Sequence, residues 1–270
     1  MGVAEVSNTE EPKRGSPEWY DRSYFFEKTG RGGYHWDDES PRGFYADYAE
    51  LLDVAFGLDG KKMLDVGCAI GISIDEYRRR GADAWGTDIS FCVETDCPLD
   101  VQGRTWQGDL GQPFEEWMAR APAEMPKRFD IVTAVETIEH TFPWRVPTAI
   151  TNIARVTSGW LYASIPMGAA WDQNPEHLCI RPEEWWAAQF AEYAPWLFRR
   201  EDRELQLPRI RLSDGRLPFN WPWPWNVLVY QRVSNDDEEA IARARGAWMI
   251  GESQHLQGKA IYDGYEPKTD

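Results

Sequence analysis

The sequence predicts an α/β protein: a doubly wound, mostly parallel sheet with helices on both faces. Three observations carry this. From residue 61 onward, short apolar segments alternate with helical ones. The first apolar segment runs directly into a loop bearing Gly67 and Gly71, which opens a helix. Finally, 270 residues with 42% hydrophobic content suffice for one large core with extensions, or for two small domains.

Taken in order, residues 1–17 are rich in Glu, Pro, Ser and Gly and read as a disordered tail. Residues 18–57 form a further unit. Aromatics interleave with Gly and charge over 18–45, too aromatic for a linker and too irregular for one element, so this stretch is expected to be a cap or lid. A helix then spans 44–57 and stops at Gly57. Strands are expected at 61–67, 83–89, 104–110, 128–135 and 159–165, with helices at 72–80, near 113–120 and at 144–156. A helix over 182–193 has Pro182 at its first turn, and β-like runs follow at 197–207 and 225–233. These make seven strands within residues 58–233. Residues 234–270 form an acidic extension, with eight acids against four bases.

Composition excludes several classes of function. Lys and Arg number 29 against 45 Asp and Glu, a net charge of −16, so the surface repels nucleic acid and anionic membranes. No apolar run approaches the roughly 18 residues of a membrane span. The first 15 residues lack the apolar stretch of a signal peptide, and Val6 stands where a myristoylation signal wants Ser or Thr. Four cysteines (Cys68, Cys92, Cys97 and Cys179) are too few for a disulfide scaffold, and Cys92 and Cys97 lack a second pair at zinc-ribbon spacing. The expectation is a cytoplasmic protein with ordinary thiols. Of 15 Trp, ten lie from Trp144 onward, where core and lid packing explains most. In 219–225 (FNWPWPW), a sugar-stacking ribbon competes with a stiff connection packing Trp inward. Trp185 and Trp186 are neighbours on one helix, so at most one can face a pocket.

Residues 64–71 read LDVGCAIG. A dinucleotide fingerprint counted from Gly67 would require Gly at 69 and 72, where Ala69 and Ile72 stand, and no Gly-Lys-Ser/Thr follows as in a phosphate loop. The segment instead resembles motif I of class I S-adenosylmethionine-dependent methyltransferases, usually D-x-G-x-G-x-G, departing from it at Ala69. Alanine is the smallest possible change, and the loop survives it if position 69 needs no positive φ. Further blocks of the family follow in order: WGTDIS ending the second strand, WQGDL ending the third, FDIVTAVETIEH on the fourth and GWLYASIP on the fifth. Together they cover about residues 60–190.

The resemblance implies a Rossmann-like methyltransferase fold that binds S-adenosylmethionine. Asp65, Gly67, Ala69 and Gly71 would shape the methionine pocket, Asp88 with Ile89 would hold the ribose, and Asp109 with Leu110 would meet adenine. Glu136 would join them over the cofactor. For Asp65 and Asp88, loop capping is the competing structural explanation.

Acceptor chemistry is read from ETIEH. On a helical turn Glu136, Glu139 and His140 would share a face, and His177 could supply a fourth ligand to Mg²⁺, Mn²⁺, Fe²⁺ or Zn²⁺. This block resembles metal-dependent O-methyltransferases of the ubiquinone-pathway and small-RNA types, in which the metal binds neighbouring acceptor hydroxyls and eases proton loss; the acidic surface disfavours the RNA branch. Without a metal, His140 or His177 is the candidate base, His35 is a weaker one, and His255 is expected at the surface. The expected reaction is O-methylation of a small metabolite of the saccharide, phenol or natural-product class. The alternatives are metal-free N- or O-methylation, or a cofactor-binding partner protein without catalysis.

Overall fold

The computed structural model describes residues 13–27, 39–167, 174, 176–217 and 227–233. Asp21 caps a short helix α1 (Arg22–Phe26), its carboxylate accepting from the Tyr24 N–H at 3.1 Å. Helix α2 (Glu39–Phe56) starts five residues earlier than its apolar pattern predicts and stops at Gly57, whose φ is 68°. Strand β1 (Lys62–Val66) leads into α3 (Ile72–Arg79), then come β2 (Asp83–Asp88), α4 (Cys92–Thr95) and β3 (Thr105–Gln107). A single turn α5 (Phe114–Trp117) precedes β4 (Phe129–Val135). Two 3-10 turns (Ile138–His140, Pro143–Arg145), α6 (Val146–Val156) and β5 (Thr157–Ser164) follow. The chain closes with α7 (Glu183–Tyr193), β6 (Leu197–Arg199), α8 (Glu201–Glu204) and β7 (Val227–Arg232).

The strand order is β3-β2-β1-β4-β5-β7-β6, with β1 to β5 parallel and β7 antiparallel to both neighbours. This is the doubly wound, seven-stranded sheet that the sequence predicts. Alternate residues of each central strand enter opposite cores. Met63 and Ile131 pack with Leu52 and Tyr77, while Leu64 and Val132 pack with Trp106, Ile150 and Trp186. Four tryptophans (Trp85, Trp106, Trp117 and Trp186) are fully buried, consistent with packing rather than ligand stacking. Trp185 is only partly buried, its ring edge-on to Trp186 at 4.9 Å. All four cysteines are free and buried.

Three predicted elements are corrected. The run 197–207 is a strand only over Leu197–Arg199, because the charged stretch Glu201–Glu204 offers nothing to bury and coils as α8. The third strand is three residues long, Thr105–Gln107, its last bond to β2 running from the Gly108 N–H to the Asp88 carbonyl at 2.8 Å. The helix near 113–120 is the one turn Phe114–Trp117. The disordered-tail residues 1–12, His35 and most of the aromatic stretch around it, residues 219–225, His255 and the acidic extension 234–270 lie outside the described residues. No helix among the described residues is long and apolar enough to cross a membrane.

Strand order reverses at β1, between β2 and β4. A crevice opens there at the carboxyl ends of the strands, where open α/β sheets place their ligands.

Candidate active site

A cavity of about 460 Å³ fills that crevice. One wall is the loop after β1. Gly67 sits at φ 77°, and a Cβ there would lie 2.2–2.8 Å from three side-chain atoms of Thr137, so only glycine fits. Gly71, at φ 82°, caps the N-terminus of α3 and, unlike Gly67 and Ala69, does not line the cavity. Ala69 also adopts positive φ, 52°, which the sequence argument made the condition against an alanine there. A non-glycine residue in that region costs on the order of 1–2 kcal/mol. The position is held because the Ala69 N–H donates to Asp88 Oδ2 at 2.8 Å.

Asp88 ends β2 on the cavity wall, its other oxygen accepting from the Ser90 N–H at 2.8 Å. Both oxygens therefore cap the loops while the residue lines the cavity, and a carboxylate oxygen can accept more than one hydrogen bond. Burial pushes this carboxyl up to about 6, against the pull of the backbone N–H groups of Ser90, Ala69 and Ile89. Asp65 lies one layer deeper and does not line the cavity: it is 4% exposed and accepts from Ser73 Oγ at 2.5 Å and Thr133 Oγ1 at 2.6 Å. Burial raises it likewise to about 6, and the two hydroxyl donors oppose that rise. Asp65 thus ties α3 and β4 together under the loop. Ile89 and Leu110 line the wall beside Asp88 and Asp109.

Asp109 is engaged on both oxygens, by the Gly111 N–H at 2.9 Å and by Arg145 Nη1 at 3.0 Å. Arg145 itself lines the cavity and is the cationic side chain among the lining residues, against the carboxylates of Asp88, Asp109 and Glu136. Such a wall favours a cation over a phosphate. Glu136, at φ 49°, accepts from Ser164 Oγ at 2.7 Å.

That backbone geometry changes the reading of ETIEH. The segment is not one helical turn: only Ile138–His140 winds, as a 3-10 turn, and Glu136 precedes it in a left-handed conformation. Helical spacing therefore does not bring Glu136 to the same point. The residues gathered are Glu139, His140 and His177, with one ligand atom of each within 4.8 Å of the others. Glu139 is fully buried, and its carbonyl accepts from the Cys179 N–H at 2.8 Å, which pins the segment after β5 against this turn. The two imidazoles meet edge to face, 4.9 Å apart at 90°. Asn174 Oδ1 accepts from the Glu176 N–H at 3.0 Å; this orients the amide so that Nδ2 donates to His177 Nε2 at 3.0 Å. His140 also lines the cavity, so the cluster stands at the end of the same space as Asp88.

Sequence reasoning missed Arg145 and the aromatic residues on the remaining wall. Tyr20, Tyr24, Phe25, Phe44 and Tyr45 line the cavity and all come from residues 18–45, where the aromatic density was visible but no position could be singled out. Thr137, which dictates Gly67, left no signal at all. Phe142 also lines the cavity, and outside it stacks on Trp144, 71% exposed, with centroids 4.6 Å apart.

The fold and this cavity define a class I methyltransferase domain. The chain belongs to the family described as "Methyltransferase domain", whose profile matches residues 42–209, more than half of its length; the cofactor of this class is S-adenosylmethionine. Among curated relatives, the chain is similar to the ubiquinone biosynthesis O-methyltransferase of Pseudomonas fluorescens Pf-5, 38% identical over 91 residues, covering 33% of this chain and 37% of that protein. The enzyme of the same name from Leptothrix cholodnii is 33% identical over 109 residues, 40% of this chain and 45% of the relative. The match thus spans less than half the length of these relatives. Among solved structures, the chain is similar to magnesium protoporphyrin IX methyltransferase from Synechocystis PCC 6803 with bound S-adenosylmethionine (14% identity, 72% of this chain, 80% of that chain, TM-score 0.48). A methyltransferase from Corynebacterium glutamicum gives 21% identity over 73% of this chain and 94% of its own, with a TM-score of 0.46.

Proposed function

We propose that the protein transfers the methyl group of S-adenosylmethionine to a hydroxyl oxygen of a small metabolite of the saccharide, phenol or natural-product class. The observation that carries this reading is that one cavity joins Asp88 and the Gly67–Gly71 loop to His140, the edge of the Glu139, His140 and His177 cluster. The curated relatives are named O-methyltransferases, which favours oxygen over nitrogen as the acceptor.

In this reading Asp88 accepts from the ribose hydroxyls. Asp109, held by Arg145, accepts from the adenine amino group between Ile89 and Leu110. Gly67, Ala69 and Glu136 enclose the methionine part, Gly71 starts the helix behind them, and Asp65 positions the loop from beneath. The carboxylate wall attracts a sulfonium, whose methyl group is already activated, so the chain's task is to orient the acceptor in line and remove its proton. Residues 18–57 act as the lid and residues 58–233 as the cofactor-binding unit. The net charge of −16 argues against nucleic-acid and membrane partners, and a cytoplasmic location fits the reduced thiols.

Glu139, His140 and His177 offer one carboxylate and two imidazoles at mutual distances that a single first-row divalent cation can bridge with small adjustments. These residues would hold it, and it would lower the pKa of a bound acceptor hydroxyl. A second reading rests on the hydrogen bond from Asn174 to His177 Nε2, which occupies the lone pair that a cation would need there; His140 is then the base, or His177 once that bond opens.

Calorimetric titration of Mn²⁺ into protein saturated with S-adenosylhomocysteine, beside a His177→Ala variant, separates the two. Saturable binding lost in the variant supports the metal site, and its absence in the wild type leaves the base. Mass spectrometry with candidate phenols and saccharides tests methyl transfer itself. A protein that binds S-adenosylhomocysteine and never yields a methylated product is a partner protein without catalysis.

A further inference from the structure

Residues 19–26 cross the acceptor end of the cavity and touch both segments that carry its imidazoles. Tyr20, just before α1, and Tyr24 within it bring their rings edge to face at 5.0 Å. The Tyr20 hydroxyl lies 3.1 Å from His140 Nδ1, a contact spanning 120 residues of sequence. The Tyr24 hydroxyl donates to Glu176 Oε2 at 2.6 Å in a buried setting, and Trp19 Nε1 donates to the other Glu176 oxygen at 3.4 Å. Glu176 in turn is tied through its N–H to Asn174, which holds His177. This stretch is anchored from the cofactor side too, because Ser90 Oγ donates to the Tyr20 carbonyl and Arg22 pairs with Asp96.

We propose that Tyr20 is a positioning residue that fixes the tautomer of His140: the ring donates its Nδ1 proton to the Tyr20 oxygen, so that Nε2 carries no proton. Tyr24, through Glu176 and Asn174, fixes His177 with Nε2 accepting from the Asn174 amide and the proton on Nδ1. The proposal rests on the methyl-transfer reading, which requires a lone pair on the working nitrogen, whether it takes a proton or binds a cation. A tyrosine hydroxyl can donate or accept, so it can hold either tautomer, and what decides between them is the demand at the far nitrogen. In effect the short segment from Trp19 to Tyr24 holds two loops that follow different strands.

The test uses full-length protein labelled with ¹⁵N-histidine, treated with chelator and saturated with S-adenosylhomocysteine, at a pH where the rings are neutral. The chain holds four histidines, so long-range ¹H–¹⁵N spectra are sparse, and His140→Gln assigns the key signal. The expected wild-type pattern is His140 protonated at Nδ1. Tyr20→Phe should convert it to an average of the two tautomers, and Tyr24→Phe should leave His140 unchanged while moving His177. In parallel, Tyr20→Phe should weaken Mn²⁺ binding about tenfold if the wild type binds it, as loss of a ligand's hydrogen-bond partner commonly does. The proposal is overturned if wild-type His140 is protonated at Nε2, or if Tyr20→Phe leaves its signal in place. It is equally overturned if both phenylalanine variants move His140 alike, because that reports general loosening. A fixed Nδ1-protonated His140 in a protein that neither binds Mn²⁺ nor methylates any acceptor would uphold the role of Tyr20 and overturn the methyl-transfer reading instead.

Discussion

The two ends of the cavity are built from different materials. At the end we assign to the donor, the contacts come from backbone conformation: positive φ at Gly67, Ala69 and Gly71, and N–H groups of Ala69 and Ser90 aimed at one carboxylate. At the end we assign to the acceptor, they come from side chains on a 3-10 turn, a loop and the segment leading into α1, held by hydroxyl, amide and ring contacts. A backbone-built site suits a ligand that does not change, whereas a side-chain-built site can be altered residue by residue. The difference also sorts mutational effects, since a change at one end should leave the other end's ligand nearly untouched.

The sharpest way to break this comparison is Gly67→Ala. Its Cβ would sit within 2.8 Å of three Thr137 atoms, on a backbone at φ 77°, so the loop must shift. S-adenosylhomocysteine affinity should fall by about 100-fold or more, as expected when about 3 kcal/mol of misplacement is forced on a binding loop. His177→Ala, at the other end, should change that affinity by less than about threefold. Isothermal titration of both variants checks the contrast, and equal losses would dissolve the two-ended description.

Asp88→Asn should cost about 10- to 100-fold in S-adenosylhomocysteine affinity, the range for losing hydrogen bonds to a charged acceptor. The same group gives a pH dependence. With its carboxyl pushed up to about 6, Asp88 is ionised at pH 7 and takes up a proton as pH falls through 6. Affinity measured from pH 8 down to 5 should therefore decline around 6 in the wild type and stay level in Asp88→Asn.

Much of the donor end was legible because its determinants are local. Gly67, Asp88 and Asp109 line the cavity at or just past strand ends in a fixed order, and apolar runs marked those strands. What escaped is nonlocal or conformational. Nothing in the string ETIEH announces that Glu136 turns left-handed, and this removes it from the cluster that helical spacing predicted. Arg145 pairs with Asp109 across 36 residues, and Tyr20 meets His140 across 120. Such pairings follow from the strand order, and from where an N-terminal segment crosses the sheet, neither of which has a periodic signature. The run 197–207 misled for a simpler reason: its apolar start is a true strand, and its charged continuation carries no alternation to sustain one.

Beneath the donor loop, Asp65 should affect stability more than binding. Its carboxyl is raised by burial to about 6 in the folded protein, against about 3.9 for an exposed aspartate. The folded state therefore holds the proton more tightly than the unfolded chain. Stability is greatest below pH 4 as far as this group is concerned, and is lost as pH rises to 6, remaining lower above it. Asp65→Asn keeps a partner for both hydroxyls and carries no charge. At pH 8 it should be more stable than the wild type by roughly 1–3 kcal/mol, a gain that vanishes below pH 4. Urea denaturation at the two pH values measures it.

The smallest effect belongs to Ala69→Gly. Relieving an alanine at φ 52° returns on the order of 1–2 kcal/mol, and the added freedom of glycine in the unfolded chain takes back about 0.5–1 kcal/mol. The net should be a gain of about 0.5–1 kcal/mol, with S-adenosylhomocysteine affinity nearly unchanged because the N–H that meets Asp88 is a backbone group in either residue. A gain in melting temperature without a change in affinity would mean that Ala69 stores strain in the loop without using it to bind. A loss of affinity would give the methyl group a role of its own, as a rigid contact in the cavity wall. The donor end would then be side-chain-built at this one position, and the contrast between the two ends would narrow to Gly67 and Gly71.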